Sequence, residues 1–334
     1  MTKVLVMGGG SWGTALARIL DLNSIDTTMF IRNKEQYRDL VVYKENKRYL
    51  PGFKMPSNLK YSNDYNLDYS HADAILMAVP TNSFRQVLSE FKDKIRKDAI
   101  IINCAKGIEE NSLKRLSEVS KEIAPENPYA VISGPTHAEE VIEDLPSTIV
   151  SASENIDIAK TVQNYFMSQN FRVYTNEDLI GVELGGALKN IIALATGILD
   201  GIGFGDNTKA ALMTRGIAEI SRLGTSLGAR PETFFGLTGI GDLIVTCTSM
   251  HSRNRRCGIL IGEGKTLDEA VQEVGMVVEG VKTTNAAYKL AKNLNVDMPI
   301  TKVLYEVLYK DKKLNECIED LMLRKRKNEM EGLF

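Results

Sequence analysis

The sequence predicts an α/β fold in two parts: an N-terminal domain built on a parallel sheet, followed by an all-α C-terminal domain. Two observations in this chain of 334 residues favour it. Short apolar runs alternate with helical patterns as far as about Thr175, and from Glu177 onward the patterns are almost only helical. Strands that alternate with helices are typical of a parallel sheet with right-handed crossovers. We therefore expect a boundary near 175–180 and two domains, 1–178 and 179–334.

The first domain opens with an apolar run at 3–7, which is typical of a strand that is buried on both faces. A helix is expected over 14–22 and a second strand over 27–31. Further strands are predicted at 74–79, 99–104, 130–133 and 147–151, with helices at 84–96 and 112–123. In the second domain Gly and Pro separate helical patterns at 178–199, 208–227, 240–247, 253–262, 267–274, 282–294, 300–309 and 313–326.

Composition argues against several classes of protein. The formal net charge of −2 gives no reason to expect a nucleic-acid partner. The four cysteines lie far apart and the three histidines lack metal-ligand spacing, so we expect neither a disulfide framework nor a metal site. Reduced thiols and a first segment that reads as a strand, not a leader, predict a cytoplasmic protein. The apolar stretch 184–199 is expected to be a buried helix and not a membrane span.

A glycine motif follows the first strand directly. Gly8, Gly10 and Gly13 have the spacing G-x-G-x-x-G, and a helical pattern begins behind them. Glycines at these positions allow a tight turn, close approach of a pyrophosphate and close packing of the helix on the strand. The helix N-terminus adds unpaired N–H groups that suit phosphates. Because strand, glycines and helix agree, we expect a dinucleotide site in a Rossmann-like domain rather than a glycine-rich turn without a ligand.

The end of the second strand bears on which dinucleotide binds. An NAD-selective site usually has an Asp or Glu about 20 residues after the glycines, to bind the ribose hydroxyls. This chain has Arg32, Asn33 and Lys34 there, and the first carboxylate is Glu35. Arg32 is suited to charge-assisted hydrogen bonds with a 2′-phosphate, although an ordinary solvated charge is the alternative. We expect NADPH to be used at least as well as NADH.

Two loops after later strands also carry candidate residues. Lys106 follows the strand at 99–104, and ligands of open α/β sheets bind outside the carboxyl ends of strands. Gly134 and Thr136 follow the strand at 130–133, where a glycine permits close approach of a cofactor. Taken alone, a loop lysine is more often solvated, and Thr136 is equally suited to capping a helix.

Lys189 is the most informative single residue, because it is the only charge in the stretch 184–199. A helix that is apolar nearly all round is buried, and burial lowers the pKa of a lysine towards the range that suits proton transfer. The alternative is a lysine whose tip reaches water. Asn190, next in sequence, is placed to donate to a substrate oxygen. Asp242 is the only formal charge between residues 234 and 252; Lys189 is its obvious partner, although Asp is also a favoured helix N-cap.

A polar cluster begins the helix expected at 253–262. Ser252, Arg253 and Asn254 offer a hydroxyl, a guanidinium and an amide at a helix start, which together suit a phosphate. An ordinary basic helix face is the alternative.

Six motifs in chain order resemble NAD(P)-dependent glycerol-3-phosphate dehydrogenase of the bacterial type. They are Gly8-Gly9-Gly10-Ser11-Trp12-Gly13-Thr14-Ala15, Ala105-Lys106-Gly107, Ser133-Gly134-Pro135-Thr136, Glu183-x-x-Gly186-Ala187-x-Lys189-Asn190, Gly239-x-Gly241-Asp242 and Ser252-Arg253-Asn254. The resemblance continues to Val277-Val278-Glu279-Gly280 and so covers nearly the whole chain. It implies a Rossmann-like domain at 1–178 that binds NADPH or NADH, and a helical substrate-binding and catalytic domain at 179–334.

The resemblance also implies roles for individual residues. Lys189 matches the catalytic lysine. Substrate-binding positions are matched by Lys106, Asp242, Ser252, Arg253 and Asn254, to which we add Lys189 and Asn190. Cofactor-binding positions are matched by Ser11, Trp12, Arg32, Lys106, Gly134, Thr136, Ala138, Arg253, Val277 and Glu279, beside Gly8, Gly10 and Gly13.

The implied reaction interconverts dihydroxyacetone phosphate and sn-glycerol 3-phosphate by hydride transfer. Lys189 would exchange the proton while Asp242 keeps it oriented. The product would supply glycerophospholipid synthesis, and a homodimer through the helical domain is a further expectation from the resemblance.

Two other functions fit parts of the pattern. A related 2-hydroxy- or 3-hydroxy-acid dehydrogenase would have the same two-domain plan and would bind a carboxylate where we expect a phosphate. A dinucleotide-sensing regulator would need the glycine turn but not Lys189 and Asp242 in apolar segments, so their presence favours catalysis.

Overall fold

The computed structural model of the chain describes residues 1–326, 328 and 329, which fold as two compact units. The first contains Met1–Ala105 and Leu116–Leu179, and the second contains Lys106–Arg115 and the chain from Ile180 onward. The segment Lys106–Arg115 therefore packs with the helical part, although the sequence places it inside the first domain. Residues 327 and 330–334 of the domain expected at 179–334 lie outside the described residues.

The first unit is built on an eight-stranded sheet and a small antiparallel hairpin. In chain order the strands are β1 (Lys3–Met7), β2 (Asp26–Phe30), β3 (Glu45–Asn46), β4 (Leu50–Lys54), β5 (Lys60–Ser62), β6 (Ala74–Met77), β7 (Ile100–Asn103), β8 (Tyr129–Ser133), β9 (Ser147–Ala152) and β10 (Phe171–Asn176). Strands β3 and β4 form the hairpin. The order across the large sheet is β10-β9-β8-β7-β6-β1-β2-β5.

The six strands from β8 to β5 in this order are parallel to one another, which confirms the predicted parallel sheet. β9 pairs antiparallel with β8 and parallel with β10, so two strands run against the rest. The sequence does not predict β10, because its side chains alternate: Phe171 and Val173 are buried, whereas Arg172 and Tyr174 are exposed. An edge strand of this kind lacks the continuous apolar run of the central strands.

Both faces of the sheet are covered by helices. They are α1 (Ser11–Leu22), α2 (Lys34–Tyr43), α3 (Thr81–Phe91), α4 (Leu116–Ile123), α5 (Ala138–Ile142) and α6 (Ile156–Phe166). Successive side chains of a strand point to opposite faces. Val6 of β1 accordingly joins the core that includes Leu16 of α1, whereas Leu5 joins the core that includes Phe84 of α3. This doubly covered sheet places the carboxyl ends of its parallel strands along one edge.

All the regular elements that the structure describes in the second unit are helices, which confirms the predicted all-α part, and the segment Lys106–Arg115 is irregular. Its helices are α7 (Leu179–Ile202), α8 (Asp206–Ser226), α9 (Asp242–Thr248), α10 (Arg253–Gly262), α11 (Leu267–Val274), α12 (Glu279–Leu294), α13 (Pro299–Lys310) and α14 (Leu314–Met322), with short 3-10 and π turns before α9. By length and composition alone α7 could cross a membrane, but 89% of its most apolar window is buried inside the protein. It is the central core helix of this unit.

Helices α7 and α10 meet in close backbone contact at two pairs of glycines. Gly197 and Gly201 of α7 face Gly258 and Gly262 of α10. A Cβ at Gly258 would lie 2.1 Å from the carbonyl oxygen of Leu194, so a larger residue there would push the helices apart. This close approach holds the start of α10 near the middle of α7.

Candidate active site

Lys189 lies in the middle of α7 and is buried, with 5% of its surface exposed. Its Nζ donates to Oδ1 of Asp242 at 2.7 Å and to Oγ1 of Thr246 at 2.5 Å. The Thr246 hydroxyl donates to the Asp242 main-chain oxygen at 2.6 Å, so towards Lys189 it acts as an acceptor. An ammonium has three donor hydrogens, and residues within the described part of the chain take two of them. The third is left for an oxygen of a bound molecule.

Asp242 is shared by two lysines. Its Oδ2 accepts from Nζ of Lys106 at 2.7 Å, while Oδ1 accepts from Lys189, which confirms the predicted Lys189–Asp242 pair. Burial by itself would raise the pKa of Asp242, but the two ammonium groups outweigh burial and hold that pKa below its usual range. The carboxylate is therefore ionised. It is the first residue of α9 rather than its N-cap, which is Gly241.

The sequence leaves open whether burial or Asp242 controls the pKa of Lys189. Burial has the larger effect and lowers this pKa to about 8; the positive charge of Lys106 acts in the same direction, and Asp242 opposes it. The nearby thiol of Cys247 stays neutral, because burial raises its pKa to about 11. A lysine pKa of about 8 lets ammonium and amine interconvert close to neutral pH, as general acid–base catalysis requires.

Two buried asparagines, Asn190 and Asn254, extend this group. Nδ2 of Asn190 donates to the main-chain oxygen of Lys106 at 3.3 Å, and Nδ2 of Asn254 donates to Oδ1 of Asn190 at 2.9 Å. The main-chain N–H of Gly280 donates to Oδ1 of Asn254 at 2.8 Å. The structure thus joins all but two of the predicted substrate-binding residues in one hydrogen-bonded network.

The two remaining substrate candidates lie at the start of α10. Ser252 is the N-cap, and its Oγ accepts from the N–H of Arg255 at 3.2 Å. Arg253 is the first helical residue and is half-buried. The side chain of Arg255 is held by Asp200, with 2.8 Å between Nε and Oδ2, so this arginine has a structural partner. The guanidinium of Arg253 at the first position of the helix and the N–H groups of the helix N-terminus are chemically suited to an anion.

Sequence reasoning missed Thr246 and Gly280. Thr246 lies four residues after Asp242, one turn further along the same helix face, and this spacing could have identified it. A Cβ at Gly280 would lie 2.6 Å from the main-chain oxygen of Asn190, so the position needs glycine. No pattern in the sequence indicates that contact.

The glycine motif forms the turn between β1 and α1. Gly8 has a φ of +112°, and a Cβ there would lie 2.4 Å from the main-chain oxygen of Ala78. A Cβ at Gly13 would lie 2.5 Å from the main-chain oxygen of Gly8, so both positions require glycine. Around Gly10, by contrast, no atom of the described residues beyond its chain neighbours lies within 4 Å of the place a Cβ would take. Gly10 is the N-cap of α1 and brings no side chain to the helix N-terminus, so this open space fits a pyrophosphate.

Three further cofactor candidates lie at the start of α1 or just beyond β2. Ser11 and Trp12 are the first two residues of α1 and are half-buried. Arg32 is exposed two residues beyond β2, the strand that pairs with β1. Asn33 caps α2 with its side chain and so belongs to the fold. The end of β2 therefore presents a cation before the first carboxylate, Glu35, is reached.

The other cofactor candidates lie at two places. In the first unit Gly134 and Thr136 follow β8, where the Thr136 hydroxyl donates to the Gly134 oxygen at 3.3 Å, and Ala138 begins α5. Thr136 is therefore not the cap of that helix, whose N-cap is the residue before Ala138. In the second unit Val277 is 42% exposed and Glu279 begins α12. Contact of these five residues with a cofactor stays a prediction.

Comparison with known proteins identifies the family. The model of the NAD-dependent glycerol-3-phosphate dehydrogenase N-terminus matches residues 3–159, and that of the C-terminus matches residues 178–319. A glycerol-3-phosphate dehydrogenase (NAD(P)+) of Clostridium botulinum is 53% identical over 99% of this chain and 100% of its own length. The corresponding protein of Bacillus licheniformis is 52% identical over 100% of this chain and 97% of its own. The solved glycerol-3-phosphate dehydrogenase of Coxiella burnetii is 37% identical, with a TM-score of 0.93 over 97% of this chain and 99% of that one. The chain belongs to the NAD-dependent glycerol-3-phosphate dehydrogenase family.

Proposed function

We propose that this chain catalyses the NAD(P)H-dependent interconversion of dihydroxyacetone phosphate and sn-glycerol 3-phosphate, the reaction that its relatives' names denote. The observation that carries the proposal is the state of Lys189. This buried lysine is held by Asp242 and Thr246, has a third donor hydrogen that its bonds to these two described residues do not use, and has a pKa of about 8. Such a group suits proton exchange with the oxygen of a carbonyl or an alcohol.

The two parts of the chain have different tasks in this proposal. Residues 1–178 bind the dinucleotide at the turn between β1 and α1, with Arg32 beside the adenine ribose. Residues 179–334 bind the substrate together with Lys106, and Arg253 and Glu279 add cofactor contacts from this part. When bound, NADPH or NADH supplies the hydride that reduces the ketone carbon.

Lys189 handles the proton. As an ammonium it donates its third hydrogen to the carbonyl oxygen of the substrate as negative charge develops there, and as an amine it takes the proton back during oxidation. Asp242 and Thr246 keep the ammonium in place by accepting its other two hydrogens. Lys106 adds a second positive charge and keeps Asp242 ionised.

The substrate phosphate is assigned to the start of α10. Arg253 supplies a guanidinium, and the first turn of the helix supplies N–H groups with the positive end of the helix dipole. Ser252 uses an Oγ lone pair to cap the helix and retains its hydroxyl hydrogen for an anion. Asn190 and Asn254 border the same site through their bonds to each other and to Lys106.

The proposal also covers the pathway, the cellular compartment and the oligomeric state of the enzyme. sn-Glycerol 3-phosphate is the backbone of glycerophospholipids, so we assign the enzyme to their synthesis. The described cysteines are free and buried, which supports a reducing compartment such as the cytoplasm. A homodimer formed through the helical domain completes the proposal, and light scattering tests it.

The absorbance of the reduced nicotinamide tests the function directly. The enzyme is mixed with NADPH or NADH and with dihydroxyacetone phosphate, unphosphorylated dihydroxyacetone or a panel of 2-oxo acids. We expect rapid oxidation of the cofactor with dihydroxyacetone phosphate and very slow oxidation with the others. Turnover of a 2-oxo acid instead would mean that the anion site takes a carboxylate. Binding of NADPH without turnover of any substrate would indicate a sensor.

A further inference from the structure

The hydrogen bonds through Asn254 and Asn190 run in one direction. They begin at the main-chain N–H of Gly280, which can only donate, and end at the main-chain oxygen of Lys106, which can only accept. Between these ends each side-chain amide must turn its oxygen towards Gly280 and its nitrogen towards Lys106. The network therefore allows only one orientation of each asparagine.

The surroundings of these bonds keep them rigid. Asn190 is 4% exposed and Asn254 is 8% exposed, so water hardly competes for their hydrogen bonds. Gly280 is the second residue of α12, and a Cβ there would lie 2.8 Å from Oδ1 of Asn254. The missing side chain lets the start of α12 come directly against the asparagine.

We propose that Asn254 and Asn190 are positioning residues that hold Lys106 within hydrogen-bond distance of Asp242. The hydrogen bond from Gly280 at the start of α12 keeps Asn254 in place. The inference rests on the proposed function, because it gives Lys106 its task in the same site. It also assigns Asn254 a role that does not depend on contact with the substrate.

The position of Lys106 matters for Lys189. The pKa of Lys189 depends on its burial and on the nearby groups Asp242, Lys106 and Cys247. While Lys106 is bound to Asp242, its positive charge lowers the pKa of Lys189. Loss of Lys106 from this position therefore raises that pKa. A residue that positions Lys106 must change the pH dependence of catalysis, which a merely structural asparagine does not.

The test compares Asn254→Leu, Lys106→Met and the double variant in the reduction of dihydroxyacetone phosphate. Leucine has the same branching and the same number of side-chain heavy atoms as asparagine but makes no hydrogen bonds. kcat/KM is measured from about pH 7 to 10 with saturating NADPH, a range that spans the Lys189 titration. In the wild type, kcat/KM should fall at alkaline pH as Lys189 loses its proton, and we call this fall the alkaline limb of the profile. We expect Lys106→Met to shift the alkaline limb to higher pH by about 1 unit. Asn254→Leu should move it in the same direction and lower kcat/KM by roughly 10- to 100-fold, because Lys106 is then misplaced. In the double variant the limb should coincide with that of Lys106→Met.

A second asparagine of α12 provides the matched control. Nδ2 of Asn285 donates to Oε1 of Glu110 at 2.6 Å, which also links α12 to the segment Lys106–Arg115. Asn285→Leu should lower the thermal stability while leaving the alkaline limb at its wild-type position. If Asn254→Leu does not fold in a thermal melt, Asn254→Ala takes its place with the same expectation.

An alkaline limb that does not move in the Asn254 variant would overturn the proposal. Shifts that add in the double variant would also overturn it, because Asn254 would then act independently of Lys106. The wild-type enzyme distinguishes this failure from that of the proposed function. If the wild-type enzyme does not reduce dihydroxyacetone phosphate, both the proposed function and the positioning role are rejected. If the wild type is active but the alkaline limb of the Asn254 variant stays at its wild-type position, only the positioning role is rejected.

Discussion

The lowered pKa of Lys189 predicts opposite pH dependences for the two directions of the reaction. Reduction needs the ammonium as proton donor, and oxidation needs the amine as proton acceptor. Burial brings the pKa of Lys189 to about 8. kcat/KM for the reduction of dihydroxyacetone phosphate should therefore be level below this pH and fall above it. kcat/KM for the oxidation of sn-glycerol 3-phosphate should rise up to this pH and then level off.

The magnitude follows from the titration of a single group. About nine-tenths of the enzyme carries the ammonium one pH unit below the pKa, and about one-tenth carries it one unit above. Reduction should accordingly slow about tenfold between pH 7 and 9, while oxidation accelerates about tenfold over the same interval. The substrate phosphate adds no change of its own in this range, because its second pKa is near 6.

Both directions are measured with protium and with deuterium at the transferred position of the cofactor or alcohol, and slower turnover with deuterium shows that hydride transfer limits the rate. Lys312→Met serves as the control, because Lys312 pairs with Glu306 and Asp320, which are not among the candidate site residues, and the variant should leave both profiles unchanged. If kcat/KM changed in the same direction for reduction and oxidation between about pH 7 and 9, or did not change for either, Lys189 would not be the group that exchanges the proton.

Three further predictions concern other parts of the chain. Arg32→Asp should weaken NADPH by about 1.5–3 kcal/mol in a fluorescence titration and leave NADH nearly unchanged; equal losses would mean that Arg32 does not contact the 2′-phosphate. Arg253→Ala should reduce kcat/KM far more for dihydroxyacetone phosphate than for dihydroxyacetone, with NADPH affinity measured alongside, and an equal loss for both would place the phosphate elsewhere. Gly258→Ala should destabilise the fold in denaturant by about 1–3 kcal/mol, since its Cβ would meet the Leu194 oxygen at 2.1 Å, whereas Gly205→Ala has open space around it and should cost less; similar losses would argue against the close helix contact.

The sequence predicts those parts of the site in which a charged residue or a glycine stands out from the residues around it. Lys189 and Asp242 are single charges in apolar segments, and each charge needs a partner once it is buried. Their ion pair follows from that need. The turn at Gly8 and Gly13 is likewise predictable, because only glycine fits a left-handed turn and so close a backbone contact.

The parts that the sequence does not predict depend on contacts between distant segments. Lys106 and Asp242 lie 136 residues apart, and the bond of Asn190 to Asn254 spans 64 residues. Nothing in the local pattern of either segment indicates its partner. The same reason applies to Gly280, whose need for glycine comes from the approach of Asn190 rather than from a turn.

The sheet shows the same division. The central strands are continuous apolar runs and are predictable as strands buried on both faces. The edge strand β5 has three residues, Lys60–Ser62, and only Ser62 is buried, so no apolar run marks it. The reversed direction of β9 depends on its pairing with β8, which strand composition does not indicate.

Single-turnover hydride transfer by Lys189→Met tests the central claim most directly. Methionine has a similar length and suits an apolar helix, so the variant should fold, as a thermal melt will show, and should bind NADPH. With saturating cofactor and dihydroxyacetone phosphate, we expect hydride transfer to slow by at least roughly 10²–10⁴, because both the proton donor and its charge are lost. A folded variant that transfers hydride at nearly the wild-type rate would remove Lys189 from the mechanism and leave Lys106 as the candidate proton donor.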